Sequence, residues 1–303
     1  MALRTRERPF FNPSVAGPIF MLSAALLFTL MNVLVKLLPP AYTVWHITFI
    51  RCAGGMAVLL MILGPRGNPF KGDRIPLLMI RGCTGSIAFF AWITAMRQLP
   101  LSTAIVIFYA FPAFAAVFAF LIYKERIGLR EAGCIGLVII GVSILFDFHL
   151  AGGLVGQCLA VVAGAFAGLT VTLVRSLRKN NGPVVIYLYF CLMGTLATTP
   201  KFIMDPIVPA TMGEWAISMG IVLSSVTAQI LMNQGFFYCR GFEGAVFMSS
   251  EVVFAAIIGI LFFCDPVSWR FWAGSMLILG SVFALNHIKS NTASAYDQVG
   301  DNG

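Results

Sequence analysis

Gly241–Phe263, GFEGAVFMSSEVVFAAIIGILFF, decides how this chain folds. At a rise of ~1.5 Å per residue, roughly 20 apolar residues match a hydrocarbon core ~30 Å thick. Near the middle stands one carboxylate, Glu251, preceded by Ser249 and Ser250. No other acidic residue falls as deep inside an apolar stretch. An ionised side chain there costs roughly 2.5–3.5 kcal/mol on insertion scales, so it requires a partner, a proton or a water-filled cavity. A functional site and a structural partner both meet that requirement.

The rest of the chain has the same character. Of 303 residues, 59% are hydrophobic and 11% charged, where a soluble domain is nearer about 25% charged. The composition is that of a polytopic membrane protein whose first partner is the lipid bilayer. The net charge of +8 does not indicate nucleic-acid binding. The basic residues lie in short loops between apolar runs, as membrane orientation requires. The seven cysteines, Cys52, Cys83, Cys134, Cys158, Cys191, Cys239 and Cys264, are scattered, with no CxxC or zinc-ligand spacing, and read as small packing residues. Arg4, Arg6 and Arg8 before an apolar run resemble a signal peptide. Pro18–Leu38 is too long for a signal core and no A-x-A site follows, so it reads as a retained first helix.

Ten apolar segments follow one another, at roughly 15–38, 43–63, 75–96, 101–123, 130–146, 151–175, 183–203, 215–238, 242–264 and 268–288. Each must be helical, because backbone in lipid satisfies its own hydrogen bonds. Pro39-Pro40, Gly64-Pro65, Pro100, Gly182-Pro183 and Pro266 punctuate them. Polar tails, 1–14 and 289–303, flank the spans; 1–10 and 289–303 are expected to be mobile, the C-terminal one carrying too little apolar content to pack. Fourteen of the twenty Lys and Arg residues fall on one side of this alternation, four on the other, and Arg51 and Arg81 inside spans. The positive-inside rule then places both termini in the cytoplasm, with the protein in the cell's inner (plasma) membrane.

Ala95–Gly141 can be laid on Gly235–Gly280 at an offset of 140, with one residue dropped before Gly141 meets Gly280. In that register Ala104 meets Gly244, Phe111 meets Glu251, Pro112 meets Val252 and Glu125 meets Asp265. The repeat divides ten spans into five and five, 15–146 and 151–288. Five is odd, so the second half enters the membrane upside down. The fold class is therefore an all-α integral membrane protein of ten transmembrane helices in two inverted five-helix repeats. Secondary transporters are built this way, with the substrate near the midplane between halves.

These residues resemble the EamA family of the drug/metabolite transporter superfamily over about 15–290. The first copy of the pattern is Ser102-Thr103-Ala104, Pro112, Glu125, Gly133 and Gly141. The second is Gly244-Ala245, Glu251, Asp265, Gly274 and Gly280, and Phe49-Ile50-Arg51 matches an aromatic-x-Arg on the second span. Two departures are Glu251-Val252 where Glu-Pro is commoner, and Asp265 where Glu is expected. The resemblance implies transport of a small metabolite, often export, by alternating access. It implies a cavity lined by spans one to four and six to nine, with the fifth and tenth bracing the outside. Known substrates of the family include amino acids, nucleotide-linked compounds, riboflavin and S-adenosylmethionine, and nothing in the sequence selects among them.

Polar residues within spans nominate the site. Thr29, Asn32 and Lys36 share one face of the first helix. Lys36 can snorkel to the interface, and Asn32 is equally suited to helix contact or cavity lining. On the second helix Thr48 and Arg51 share a face, and Arg51 sits at the depth of Glu251, either paired with it or lining the cavity beside it. Ser225, Gln229 and Asn233 form the longest polar stripe, and their amides suit a neutral or zwitterionic ligand. Trp92, Phe108, Tyr109 and Phe111 are candidate aromatic walls, while Arg81 reads as snorkelling to the near surface. The substrate-binding set is thus Glu251, Arg51, Asn32, Gln229, Asn233, Trp92 and Tyr109. The GxxxG of Gly164–Gly168 points to close backbone approach within the chain more than to a dimer, although a homodimer stays open.

No GxxxxGK[ST], HExxH or GxSxG occurs, so ATP hydrolysis, zinc proteolysis and serine hydrolysis have no residues to carry them, and no cofactor or metal is implied. Protons are a candidate coupling ion. The principal reading is a secondary transporter, most simply an exporter. The alternatives are a membrane-embedded enzyme on a lipid-linked substrate and an importer of a vitamin or nucleoside-type metabolite such as riboflavin or S-adenosylmethionine. An enzyme of that kind needs carboxylates or histidines clustered at one interface, and His46, His149 and His287 are scattered.

Overall fold

The computed structural model describes residues 13–64, 69–124, 128–145, 153–178, 180–238, 247–248, 250–265 and 268–300. Among them every regular element is helical. The helices are α1 (Pro13–Leu37), α2 (Val44–Leu63), α3 (Ile75–Gln98), α4 (Leu101–Phe108), α5 (Phe111–Tyr123), α6 (Leu129–Leu145), α7 (Gly153–Leu177), α8 (Pro183–Met204), α9 (Met212–Tyr238), α10 (Ser250–Phe263) and α11 (Trp269–Gly300). Among the described residues seven apolar segments are long enough to cross a membrane, with α4 and α5 together making one of them, Leu101–Tyr123. Two shorter apolar helices, Ala132–Leu145 and Ser250–Phe263, belong to the fifth and ninth spans. The end of the bundle where α1 begins is called the near end below, and the opposite one the far end.

The packing has the symmetry of the repeat. α1 packs on α9 and α3 on α7, α2 packs on α8, α4 on α10, and α6 on α11. Exchanging span n of one half with span n of the other turns each pairing into itself or into another of the set. The fifth and tenth spans, α6 and α11, meet through glycines of the repeated pattern. A Cβ on Gly141 would lie 3.1 Å from the Gly274 carbonyl oxygen, and one on Gly274 would lie 2.9 Å from that of Gly141.

The fourth span is not one helix. It breaks at Tyr109 and Ala110, and α5 resumes with Pro112 in its first turn. Pro112 has no N–H to return to the preceding turn, so a continuous helix loses a hydrogen bond there. In the ninth span α10 is described from Ser250, and Phe247 and Met248 before it are helical too. The GxxxG of α7 lies against the break. A Cβ on Gly168 would stand 2.7 Å from both the Phe111 carbonyl oxygen and the Ala115 amide nitrogen, and one on Gly164 3.1 Å from the Phe108 carbonyl oxygen. The motif therefore serves an intramolecular contact. Glu125 and Gly244-Ala245 of the pattern, and Cys239, fall outside the described residues.

The C-terminal tail departs from expectation. α11 continues as helix to Gly300, so 289–300 is not an irregular tail. Between Trp269 and Gly300 there is no proline, and propagating an existing helix costs far less than nucleating one. Residues 1–12 lie outside the described set.

Four of the five tryptophans sit near far-end helix termini and are exposed: Trp45, Trp215, Trp269 and Trp272. That is an interfacial aromatic belt. Trp92, only 5% exposed, points inward.

Candidate functional site

Between the halves lies a cavity of about 620 Å³, lined from α1, α2, α3, α4, α5, α7, α8, α9 and α10. It begins at mid-depth and extends along Ala119 of α5 and Val174 on α7 to Arg178, just past the near-end terminus of α7. All seven residues nominated from sequence line it: Asn32, Arg51, Trp92, Tyr109, Gln229, Asn233 and Glu251.

Four of them form one network. The Asn32 amide nitrogen Nδ2 donates to Glu251 Oε1 at 3.1 Å, and the Trp92 indole donates to Asn32 Oδ1 at 3.2 Å. The Tyr109 hydroxyl lies 2.8 Å from Glu251 Oε2 and 2.7 Å from the Met248 carbonyl oxygen. Two first-half side chains, Asn32 and Tyr109, thus bond the Glu251 carboxylate directly, and Trp92 supports it through Asn32. Glu251 lies at the start of the described part of α10. Tyr109 is released from helical geometry by the break, which lets it reach across the halves.

Arg51 does not pair with Glu251: among the described residues no ion pair joins them. Arg51 instead lies with its guanidinium carbon 3.8 Å from the centre of the Phe89 ring. Gln229 and Asn233 line the α9 side, and Asn233 Nδ2 is buried without a hydrogen-bond partner. Phe108 and Phe111 join Trp92 and Tyr109 in the wall, with the Trp92 and Phe108 ring centres 4.8 Å apart.

Other polar positions turn away. Thr29, Thr48 and Ser225 bond backbone carbonyls of their own helices (Ala25, Val44 and Val222) and leave the cavity to the longer side chains. Lys36 remains half-buried, its ammonium 5.2 Å from the Phe263 ring centre. Arg81 contradicts the snorkelling expectation: it is 4% exposed and lines the cavity. A signal was present. Arg81, Gly85, Ala88 and Trp92 recur at helical spacing on one face, so placing Trp92 inward brings Arg81 with it. Phe89, Phe190 and Arg178, which the sequence reading did not select, also line the cavity.

The far end carries a second set of polar contacts between halves. Asp265 Oδ2 accepts from the Ser102 amide at 2.8 Å and its hydroxyl at 2.9 Å, capping α4. His46 Nδ1 accepts from the Thr43 amide, which leaves Nε2 to donate to the Asp205 carbonyl at 2.6 Å. Tyr42 donates to Glu214 at 2.8 Å. Burial and that carboxylate push its phenol up to about 12, so it stays a donor.

The EamA-like transporter family pattern matches residues 15–147 and 154–287, once per half. The chain belongs to that family. It is 26% identical over 275 residues to the pseudopaline exporter CntI of Pseudomonas aeruginosa, covering 90% of this chain and 97% of the exporter. It is 25% identical over 290 residues to solute carrier family 35 member G1 of Homo sapiens, covering 88% of this chain and 77% of that protein. A solved crystal structure superposes with a TM-score of 0.62 at 17% identity, covering 91% of this chain and 98% of the other, which concerns the fold alone. The protein is thus a multi-pass membrane transporter of the drug/metabolite superfamily.

Proposed function

We propose that the protein exports a small polar metabolite across the inner (plasma) membrane by alternating access, with both termini cytoplasmic and the substrate held at mid-depth between the repeats. The observation that carries this reading is the Trp92–Asn32–Glu251–Tyr109 network, built from both halves around one buried carboxylate. A rocking motion of one repeat against the other makes and breaks such a network. With the near end cytoplasmic, a cavity that continues to Arg178 at that end corresponds to an inward-facing, substrate-loading state. The relation to the pseudopaline exporter supports the outward direction.

Protons are the proposed coupling ion. Tyr109 has one hydroxyl proton and two acceptors in reach, Met248 O and Glu251 Oε2. When Glu251 is ionised, the hydroxyl donates to it. When Glu251 is protonated, the acid donates to the phenol oxygen and frees the hydroxyl for Met248, next to the start of α10. Asn32 faces the other carboxylate oxygen in both states, and Arg51 and Arg81 line the same cavity without pairing to it. Proton occupancy thereby selects which second-half acceptor takes the Tyr109 hydroxyl proton, Glu251 Oε2 or the Met248 carbonyl oxygen.

The test is untargeted metabolite profiling of cells and medium with and without the protein, followed by counterflow of the responding compound in proteoliposomes across a pH gradient. Accumulation in the medium that needs Glu251 and responds to the gradient is the expected result. Uptake in place of efflux overturns the direction, and no responding compound overturns the transport reading.

A further inference from the structure

Buried acids and buried bases are treated differently in this protein. Glu251 and Asp265 each accept two hydrogen bonds. Among the described residues Arg51 and Arg81 have no such partners at three of their donors. Each is 4% exposed, and both line the cavity. Nε of Arg51, and Nε and Nη1 of Arg81, are buried without a hydrogen-bond acceptor. Among the described residues neither guanidinium meets a carboxylate. A buried charge with open donors is costly unless something supplies the missing acceptors.

The surroundings stabilise the cations without using up their hydrogen-bonding edges. Arg51 stacks on Phe89, and the guanidinium carbons of Arg51 and Arg81 lie 5.2 and 5.3 Å from the centre of the same Phe190 ring. A ring face attracts the flat side of a guanidinium and leaves its in-plane N–H fork free for an oxyanion. Gly85 keeps room beside that ring: a Cβ there would lie 2.9 Å from Phe190 Cδ2 and 3.5 Å from Arg81 Nη1. Asn233, on the facing helix, is a third side chain with an open donor, Nδ2. The cavity wall is rich in donors that lack acceptors, and its one carboxylate is already engaged.

We infer that the transported compound is a small organic acid with at least two oxyanion groups, one taken by the fork of Arg51 and one by that of Arg81. This rests on the transport reading above and adds the chemical class of the substrate. Carboxylate and phosphate both fit an arginine fork, and the identity of the exported compound distinguishes them.

The experiment begins from the compound that profiling finds to depend on the protein. Its transport by Arg51→Gln, Arg81→Gln, Arg51→Lys and Arg81→Lys is compared in proteoliposomes, with membrane content and monodispersity measured for each. The expected compound carries two or more acid groups, and each Lys variant, which keeps the charge but loses the fork, transports it at least ~10-fold more slowly. Arg81→Gln should also shift selectivity from the diacid toward its monoamide, a change that a merely structural arginine does not produce. A neutral, cationic or monoacidic compound overturns the inference while leaving transport intact. So does wild-type transport by both Lys variants. If no compound responds at all, the transport reading fails first and this inference falls with it.

Discussion

The ninth span carries a buried acid at each end of its described helix, and the two do different work. Glu251, at the start of α10, faces the cavity and is held by Asn32 and Tyr109, whose other bonds run to Trp92 and Met248. Asp265, just past the end of α10, puts one oxygen on both donors of Ser102 and fixes the first turn of α4. Both bridge the halves and both are nearly inaccessible. The difference lies in the partners. Tyr109 has an alternative acceptor in the Met248 carbonyl and can let Glu251 go, whereas the Ser102 amide is fixed by the helix it starts. Burial alone therefore does not separate the two acids; the second acceptor open to Tyr109 does.

Five changes test that contrast. Glu251→Gln should have the largest effect, slowing transport about 30- to 100-fold, equivalent to about 2–3 kcal/mol, while the protein stays folded because the amide oxygen still accepts a bond. Counterflow together with thermal unfolding in detergent reads both quantities, and unchanged transport across pH removes Glu251 from the site. Tyr109→Phe should slow transport about 10-fold and flatten its pH dependence, since the phenol no longer chooses between acceptors. A pH profile as steep as wild type contradicts the switch.

Asp265→Ala should act in the opposite sense. It should cost about 1–2 kcal/mol of stability through the lost cap and leave transport per folded molecule near wild type. Gly259→Ala should reproduce part of that loss, because its Cβ would sit 2.5 Å from Asp265 Oδ2. The double variant should then lose less than the two single losses combined. Additive losses would show that Gly259 acts elsewhere. Lys36→Met should have the smallest effect, within about 0.5–1 kcal/mol, as expected for loss of a half-exposed cation over the Phe263 ring.

The architecture was legible because a bilayer imposes it. Span length, loop charge and the odd number of spans per repeat each follow from the sequence without knowledge of any contact. The central acid was legible for the same reason: Glu251 is conspicuous against an apolar background. The parts that escaped depend on contacts distant in sequence. Arg81 lies close enough to the near end to snorkel, and it turns inward where Phe190, more than 100 residues later, offers a ring face. Pro112 was visible, but the break falls before it, where the GxxxG of α7 receives the exposed backbone of Phe108 and Phe111. Ser225 and Thr48 have the right spacing for the cavity. Their short side chains reach their own helix first, which spacing alone does not reveal.

The inward placement of Trp92 also makes the protein its own optical sensor. Its indole N–H is bonded to Asn32 inside the cavity, while the other four tryptophans are exposed near far-end helix termini. Brominated lipids should quench those four and leave Trp92 emitting. The remaining fluorescence should then respond to what occupies the cavity, and its wavelength should shift when the indole loses its bond to Asn32. Each turnover would become a change in colour, read without attaching a label anywhere on the chain.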